Sequence, residues 1–177
     1  VFLNLPHQFE IIFVDDGSTD KSLHILREIE CNDDKVKVVS QKNSFAGVAR
    51  NKGLSLAKGK YVLFLDADDF FENSMLEQIF NYAERLNADI MVFDGYLYNN
   101  RLKKVFLPTW ILEQKYLDYA PEKEAFSAEE FSKYIFNFTA PSSWNKLYKR
   151  SFICKHNLQF QNTKRVNDLF FTYAALS

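Results

Sequence analysis

The chain is poor in the residues that build specialised sites. Among its 177 residues are only two cysteines, Cys31 and Cys154, far apart and without metal-ligand spacing. That excludes a disulfide framework, and both read as free thiols of a reduced compartment. The three histidines, His7, His24 and His156, form no cluster in sequence, which argues against zinc chemistry. No apolar run approaches the ~20 residues of a membrane helix. No secretory leader pattern is visible at the start, and the chain opens Val1-Phe2-Leu3 without Met, as a fragment or trimmed chain would. Charge of either sign is not in excess: 22 Lys and Arg against 23 Asp and Glu give −1. A general attraction to nucleic acid or anionic membrane is therefore not expected, although a local basic patch is compatible with the balance. Gly-x4-Gly-Lys-Ser/Thr, Gly-x-Gly-x-x-Gly and Gly-x-Ser-x-Gly are all absent, removing P-loop, dinucleotide-binding and α/β-hydrolase readings. There is no internal repeat, low-complexity tract or clear linker.

What is present suits one globular α/β domain. Hydrophobic residues make up 47% and charged residues 25%, and the 18 Phe must line a core or a binding face. Ile11-Ile12-Phe13-Val14 is a short, fully apolar run that stops at Asp15-Asp16-Gly17-Ser18. Such runs read as strands buried on both faces. Thr19 or Asp20 can cap a helix carrying Leu23, Leu26 and Ile29. Val36, Val38 and Val39 mark a second strand, residues 46–57 a helix closed by Gly59, and Tyr61-Val62-Leu63-Phe64-Leu65 a third strand. Ser74-Met75-Leu76-Glu77 has the capping-box pattern, followed by an amphipathic stripe through Ile79, Phe80, Ala83 and Leu86. Ile90-Met91-Val92-Phe93 is a fourth strand. The alternation predicts a parallel sheet with covering helices and its acidic strand ends on one edge. Residues 96–107 alternate around Asn99-Asn100 as a hairpin or irregular excursion. A second capping box, Ser127-Ala128-Glu129-Glu130, predicts a helix through Phe131, Tyr134, Ile135 and Phe138, ended by Pro141.

Two strands end in carboxylates. Asp15 and Asp16 close the first and Asp66-Ala67-Asp68-Asp69 follows the third. Gathered at one sheet edge, these like charges need a cation or hydrogen-bond donors to neutralise them. Carboxylate oxygens suit Mg²⁺ or Mn²⁺, whose sites usually include substrate phosphates. Asp15 is equally a common helix cap. An EF-hand loop from Asp66 would put Phe71 where the turn needs Gly, which excludes that type of calcium site. A strand followed by Asp-x-Asp also resembles a phosphoaspartyl phosphatase, but Phe70 stands where that family has Thr or Val. It is retained as a weaker alternative.

Several blocks, in order, resemble the family-two glycosyltransferases of GT-A fold. They are Phe9 through Asp20 around Val14-Asp15-Asp16-Gly17-Ser18, Gly47-Val48-Ala49-Arg50-Asn51-Lys52-Gly53, Phe64-Leu65-Asp66-Ala67-Asp68-Asp69, and Trp144-Asn145-Lys146-Leu147-Tyr148. The fold class expected is α/β of GT-A type, a mainly parallel sheet flanked by helices. It spans residues 1–177, with a nucleotide-sugar-binding half over 1–95 and an acceptor-side half over 96–177. The resemblance implies inverting transfer of a sugar from a nucleotide-diphosphate donor, a UDP-sugar above all, to a hydroxyl of a glycan or lipid-linked acceptor. It implies Mn²⁺ or Mg²⁺ as cofactor, no nucleic-acid partner, and work in the cytoplasm at the inner face of the membrane, touched only peripherally, in bacterial surface polysaccharide or glycolipid synthesis.

By the same resemblance Asp16 binds the base, Asp66 and Asp68 address the ribose and the diphosphate-bound metal with Asp68 the better ligand, and Asp69 serves the metal or acceptor side. Asp168, in Asn167-Asp168, falls where the family places its general base in a Glu-Asp pair; Asn167 departs from it. Asp168 is equally a helix-start acid. Arg50 and Asn51 are candidates for substrate contact, with Arg50 equally a partner for a neighbouring acid. Lys146 meets phosphate or acceptor, or lies on a solvated face. Trp144 stacks on a sugar, or belongs to the core. Relative to the family, the opening strand is missing, residues 1–7 resemble the end of the helix that follows it, and both ends look cut. A non-catalytic or degenerate nucleotide-sugar-binding fragment is the competing class.

Overall fold

The computed structural model describes residues 9–72 and 74–177; the expectation for residues 1–7 lies outside them. In chain order the elements are β1 (Ile11–Asp15), α1 (Ser22–Asn32), β2 (Val36–Ser40), α2 (Phe45–Leu56), β3 (Tyr61–Leu63), α3 (Met75–Leu86), β4 (Ile90–Val92), β5 (Leu97–Asn99), β6 (Lys104–Phe106), α4 (Gln114–Leu117), β7 (Lys146–Lys149), α5 (Arg150–Lys155) and α6 (Leu169–Leu176). β1 and β2 pair in parallel, with Ile11 opposite Val36 and Asp15 opposite Ser40. β3 and β4 do not pair with each other. β7 lies between them, antiparallel to both, with Leu147 opposite Leu63 and Met91.

This order keeps the α/β character and corrects one detail of it. The apolar runs of β3 and β4 are packed on both faces and half-buried, but such packing does not say which way the neighbouring strand runs. Alternate residues settle the two layers. Tyr61, Leu63, Met91, Phe93 and Leu147 pack with Ile79 and Ala83 of α3. Val62, Phe64, Ile90 and Tyr148 face the opposite way, into a cluster with Ile153, Phe160, Phe171 and Ala175. There Phe160 and Phe171 stack with ring centres 4.0 Å apart, and Phe64 meets both edge-on. A third cluster gathers Phe131, Ile135, Phe138 and Leu176.

Residues 96–107 form the expected hairpin, with Leu97 opposite Phe106 and Tyr98 opposite Val105. The second capping box closes: Ser127 N–H donates to Glu130 Oε2 at 2.8 Å, and Glu130 N–H to Ser127 Oγ at 3.3 Å. The helix expected after it shrinks to one 3-10 turn over Glu129–Phe131 followed by further turns. Tyr134 N–H bonds to Phe131 C=O and Asn137 N–H to Tyr134 C=O, three residues back. Over so few residues, turns of period 3 collect the same aromatic stripe as a helix of period 3.6. Ser74 precedes α3 without capping it; its Oγ accepts from Gln78 Nε2 instead. Cys31 and Cys154 are exposed and unpaired. Among the described residues, no helix is long and apolar enough to cross a membrane.

Candidate active site

The end of β1 turns sharply because of two residues. Buried Asp15 accepts from Ser18 N–H at 3.2 Å and from Ser40 Oγ at 2.9 Å. Hydrogen bonding from Ser18, opposed by burial and reinforced by Ser40, holds its carboxyl below the usual range. Gly17 has φ +78°, and a Cβ there would lie 2.8 Å from the Asn43 nitrogen, so only glycine fits. Asp15 thus fastens the turn, and Asp16 is the acid left for other work. Asp16 Oδ1 accepts from Gln41 Nε2 at 2.8 Å and from the Ser44 N–H at 2.9 Å, just ahead of α2.

α2 then carries the link to the second acidic strand end. Arg50 lies six residues past Ser44, about 9 Å along the helix. Its Nη2 donates to Asp66 Oδ1 at 2.7 Å and its Nη1 to Asn167 Oδ1 at 2.6 Å. The guanidinium lies over the Phe160 ring, 5.5 Å from its centre. Gly47 permits this approach, since a Cβ there would come within 2.2 Å of the Gln161 carbonyl oxygen. One arginine therefore ties the acidic loop after β3 to the Asn167-Asp168 segment. Asp68 and Asp69 are exposed beside it. Partial burial, then the charges of Asp66 and Asp68, push the Asp69 carboxyl up.

Asp168 stands immediately before α6, at the N-cap position, but its side chain makes no capping hydrogen bond. Asp168 lines a cleft of about 460 Å³ together with Trp110, Glu113, Thr139, Ser142 and Tyr173. The pairing expected of Arg50 with an acid is present, and Asn167, the departure from the Glu-Asp pattern, is the arginine's second acceptor.

One candidate is corrected and another is found anchored. Asn51 is tied to the backbone of Phe160: its Nδ2 donates to the Phe160 carbonyl at 2.8 Å and its Oδ1 accepts from the Phe160 N–H at 2.9 Å, leaving one N–H and one lone pair uncommitted. Lys146 is neither on a solvated face nor open to phosphate. It is fully buried, and its Nζ donates to Ala140 C=O at 2.8 Å, Ser142 C=O at 2.9 Å, Asn145 Oδ1 at 2.8 Å and Thr139 Oγ1 at 3.3 Å. Burial pushes its ammonium down to about 7, with Asp168 opposing. Trp144 is half-buried with its ring over Gly95. The cleft wall over residues 139–142 was not foreseen; the interrupting Pro141 was its one sequence signal.

The acids were expected to gather round a divalent cation. Among the described residues, no three His, Cys, Asp or Glu side chains come together as a metal cage. Asp66 spends one oxygen on Arg50, leaving Asp68 and Asp69 as the freer carboxylates. Such a donor set still fits Mg²⁺ or Mn²⁺, which bind through one or two carboxylates plus phosphates and water.

A parallel β-α-β opening, acids at two strand ends, and an aspartate that lines a cleft with Glu113 match the layout of a nucleotide-sugar transferase of GT-A fold. The chain belongs to glycosyl transferase family 2, whose family model matches residues 2–155. It is 38% identical over 161 residues to the cholesterol galactosyltransferase of Borreliella burgdorferi, covering 86% of this chain and 43% of that protein. It is similar in structure to residues 1–349 of S. aureus TarS, with a TM-score of 0.75, 25% identity, and 97% of this chain against 48% of that one. The TarS structure in complex with UDP-GlcNAc shows the same fold at a TM-score of 0.76 and 23% identity, over 97% of this chain and 46% of that one. The chain thus spans less than half the length of these relatives. Family membership sets aside the phosphatase alternative.

Proposed function

We propose that the chain is the donor-binding and base-carrying part of an inverting glycosyltransferase that moves a sugar from a UDP-sugar to a hydroxyl of a glycan or lipid-linked acceptor. Residues 1–95 serve the donor and residues 96–177 the acceptor. The observation that supports this best is the Arg50 bridge, which holds Asp66 and Asn167 on one guanidinium and so ties the acidic loop to the segment whose next residue, Asp168, lines the cleft.

In this reading Asp16 addresses the base with the oxygen not engaged by Gln41 and Ser44. Asp66, oriented by Arg50, addresses the ribose. Asp68, with Asp66 and Asp69 alongside, would hold Mn²⁺ or Mg²⁺; when bound, the ion stabilises the charge that develops on the leaving diphosphate. Asp168 takes the proton from the acceptor hydroxyl as that oxygen attacks the sugar carbon from the face opposite the diphosphate, so configuration inverts. Trp144 packs over Gly95 and shapes the donor side without contacting the reacting atoms. The setting is bacterial surface polysaccharide or glycolipid synthesis, in line with a relative named for acting on cholesterol.

The test is UDP release with Mn²⁺ from UDP-galactose and UDP-GlcNAc, for the chain and for Asp168→Ala. Loss of general-base help is expected to slow release by ~10²–10⁴-fold, with UDP binding retained. UDP binding with no release would leave only a nucleotide-sugar-binding module, and release indifferent to Asp168 would remove Asp168 from the role of base.

A further inference from the structure

The hairpin of β5 and β6 stands out from the rest of the molecule. Every residue of both strands is exposed, so neither face of the ribbon is covered. A lone two-stranded ribbon is marginal in water and ordinarily gains its stability from a surface on one face. Here one anchor is visible: Tyr98 meets Phe70 of the acidic loop edge-on, ring centres 5.5 Å apart. Val105, opposite Tyr98, shares the face that meets Phe70, and Leu97 and Phe106 share the other. Leu102, Val105 and Leu107 are each more than half exposed.

Within the hairpin segment itself the charge has one sign, although its anchor Phe70 directly follows Asp68 and Asp69. Between residues 95 and 112 there are three cations, Arg101, Lys103 and Lys104, and no acid, in a chain whose net charge is −1. Among the described residues none of the three is in an ion pair. Lys103 donates only to the neighbouring Asn100 side chain, and Asn99 Oδ1 accepts from Leu102 N–H to close the turn. Cations interleaved with aliphatic and aromatic side chains suit the boundary between headgroups and acyl chains of an anionic bilayer. Nucleic acid would ask for the cations but has no use for exposed leucine and valine, which cannot stack on bases. The surface also runs on into the cleft, because Trp110, half exposed just beyond β6, lines the cleft that holds Asp168.

We propose that the β5–β6 hairpin is a membrane-docking element that seats the chain on anionic lipid, with Arg101, Lys103 and Lys104 at the headgroups and Leu102, Val105 and Leu107 below them. Docking there brings the mouth of the Asp168 cleft to the bilayer surface, where a lipid-borne hydroxyl would enter it. Lipid binding itself stands on the hairpin alone and is measured without any sugar transfer, so its failure and that of the proposed reaction are separable.

The experiment is co-sedimentation of the chain with phosphatidylglycerol–phosphatidylcholine vesicles and with pure phosphatidylcholine vesicles. Binding to the anionic vesicles is expected, with little to the neutral ones, and it should fall steeply as salt is raised. The triple variant Arg101→Ala, Lys103→Ala, Lys104→Ala should bind at least about tenfold more weakly. The double variant Leu102→Ser, Leu107→Ser should lose binding while keeping all three charges. Both change exposed positions, and an unchanged circular dichroism spectrum confirms that each is folded. Failure to bind anionic vesicles, equal binding to neutral ones, variants that bind like the parent chain, or tighter binding to a mixed-sequence oligonucleotide would each overturn the proposal.

Discussion

Lys146 is a charge taken wholly out of water. It is fully buried on β7, beside no carboxylate in direct contact, and held by two carbonyls, an amide oxygen and a hydroxyl. Three of those acceptor residues, Thr139, Ala140 and Ser142, belong to the wall of the Asp168 cleft, so the ammonium pins that wall from behind. Burial lowers its pKa to about 7, against ~10.4 for an unfolded lysine. Between those values the unfolded chain holds the extra proton, so stability rises with pH, by at most ~1.4 kcal/mol per unit. Below pH 7 both states are protonated and the burial penalty is complete; above the unfolded pKa it is gone. The four acceptors favour the ammonium and keep the slope under that ceiling. Urea unfolding of the chain and of Lys146→Met from pH 7 to 9.5 should show a rising difference curve. Two parallel curves would mean that Lys146 does not titrate in this range.

At the level of elements, the sequence was most readable where burial and period agree. β1 to β4 and α1 to α3 lie where apolar runs or stripes put them, because the central sheet packs apolar side chains on both faces, and the hairpin lies where its alternation and Asn99-Asn100 put it. β7 was seen only as a motif. A strand bearing Lys146 and Lys149 lacks the apolar signature, and its burial depends on carbonyls of residues 140 and 142 that no local pattern reveals. The acids of the site were legible from their places at strand ends. Their connection was not, since Arg50 reaches Asn167 across 117 positions of sequence. That connection depends on how closely α2 lies against residues 161–167, which Gly47 sets. Gly47→Ala is expected to push α2 outward, cost about 1–3 kcal/mol as overpacking does, and lower UDP release by loosening the Arg50 bridge. Thermal melts and the release assay check both effects. A variant as stable and active as the parent would show that the helix has room to spare.

Across the whole molecule, charge is distributed unevenly for a chain so nearly neutral. Asp66, Asp68 and Asp69 stand together in the loop after β3, the edge proposed to take the donor, where the cation attached to them is Arg50, already shared with Asp66 and Asn167. A nucleotide diphosphate approaching that edge meets like charge, and the raised Asp69 carboxyl reports the same crowding. Donor binding should therefore be conditional on a divalent ion. With Mn²⁺ and UDP at about 100 times its dissociation constant, linkage adds ~2.7 kcal/mol to apparent stability. For a domain of this size that corresponds to a melting-temperature rise of roughly 5–10 °C. EDTA should abolish the rise, and Asp68→Asn should shrink it even with Mn²⁺ present. Because both partners can be added alone, the arms are informative: Mn²⁺ without UDP should give a small shift, since no three protein acids cage it. UDP without Mn²⁺ should give almost none. A full shift with UDP alone would mean that protein donors neutralise the diphosphate, and the acidic loop would then need a different task.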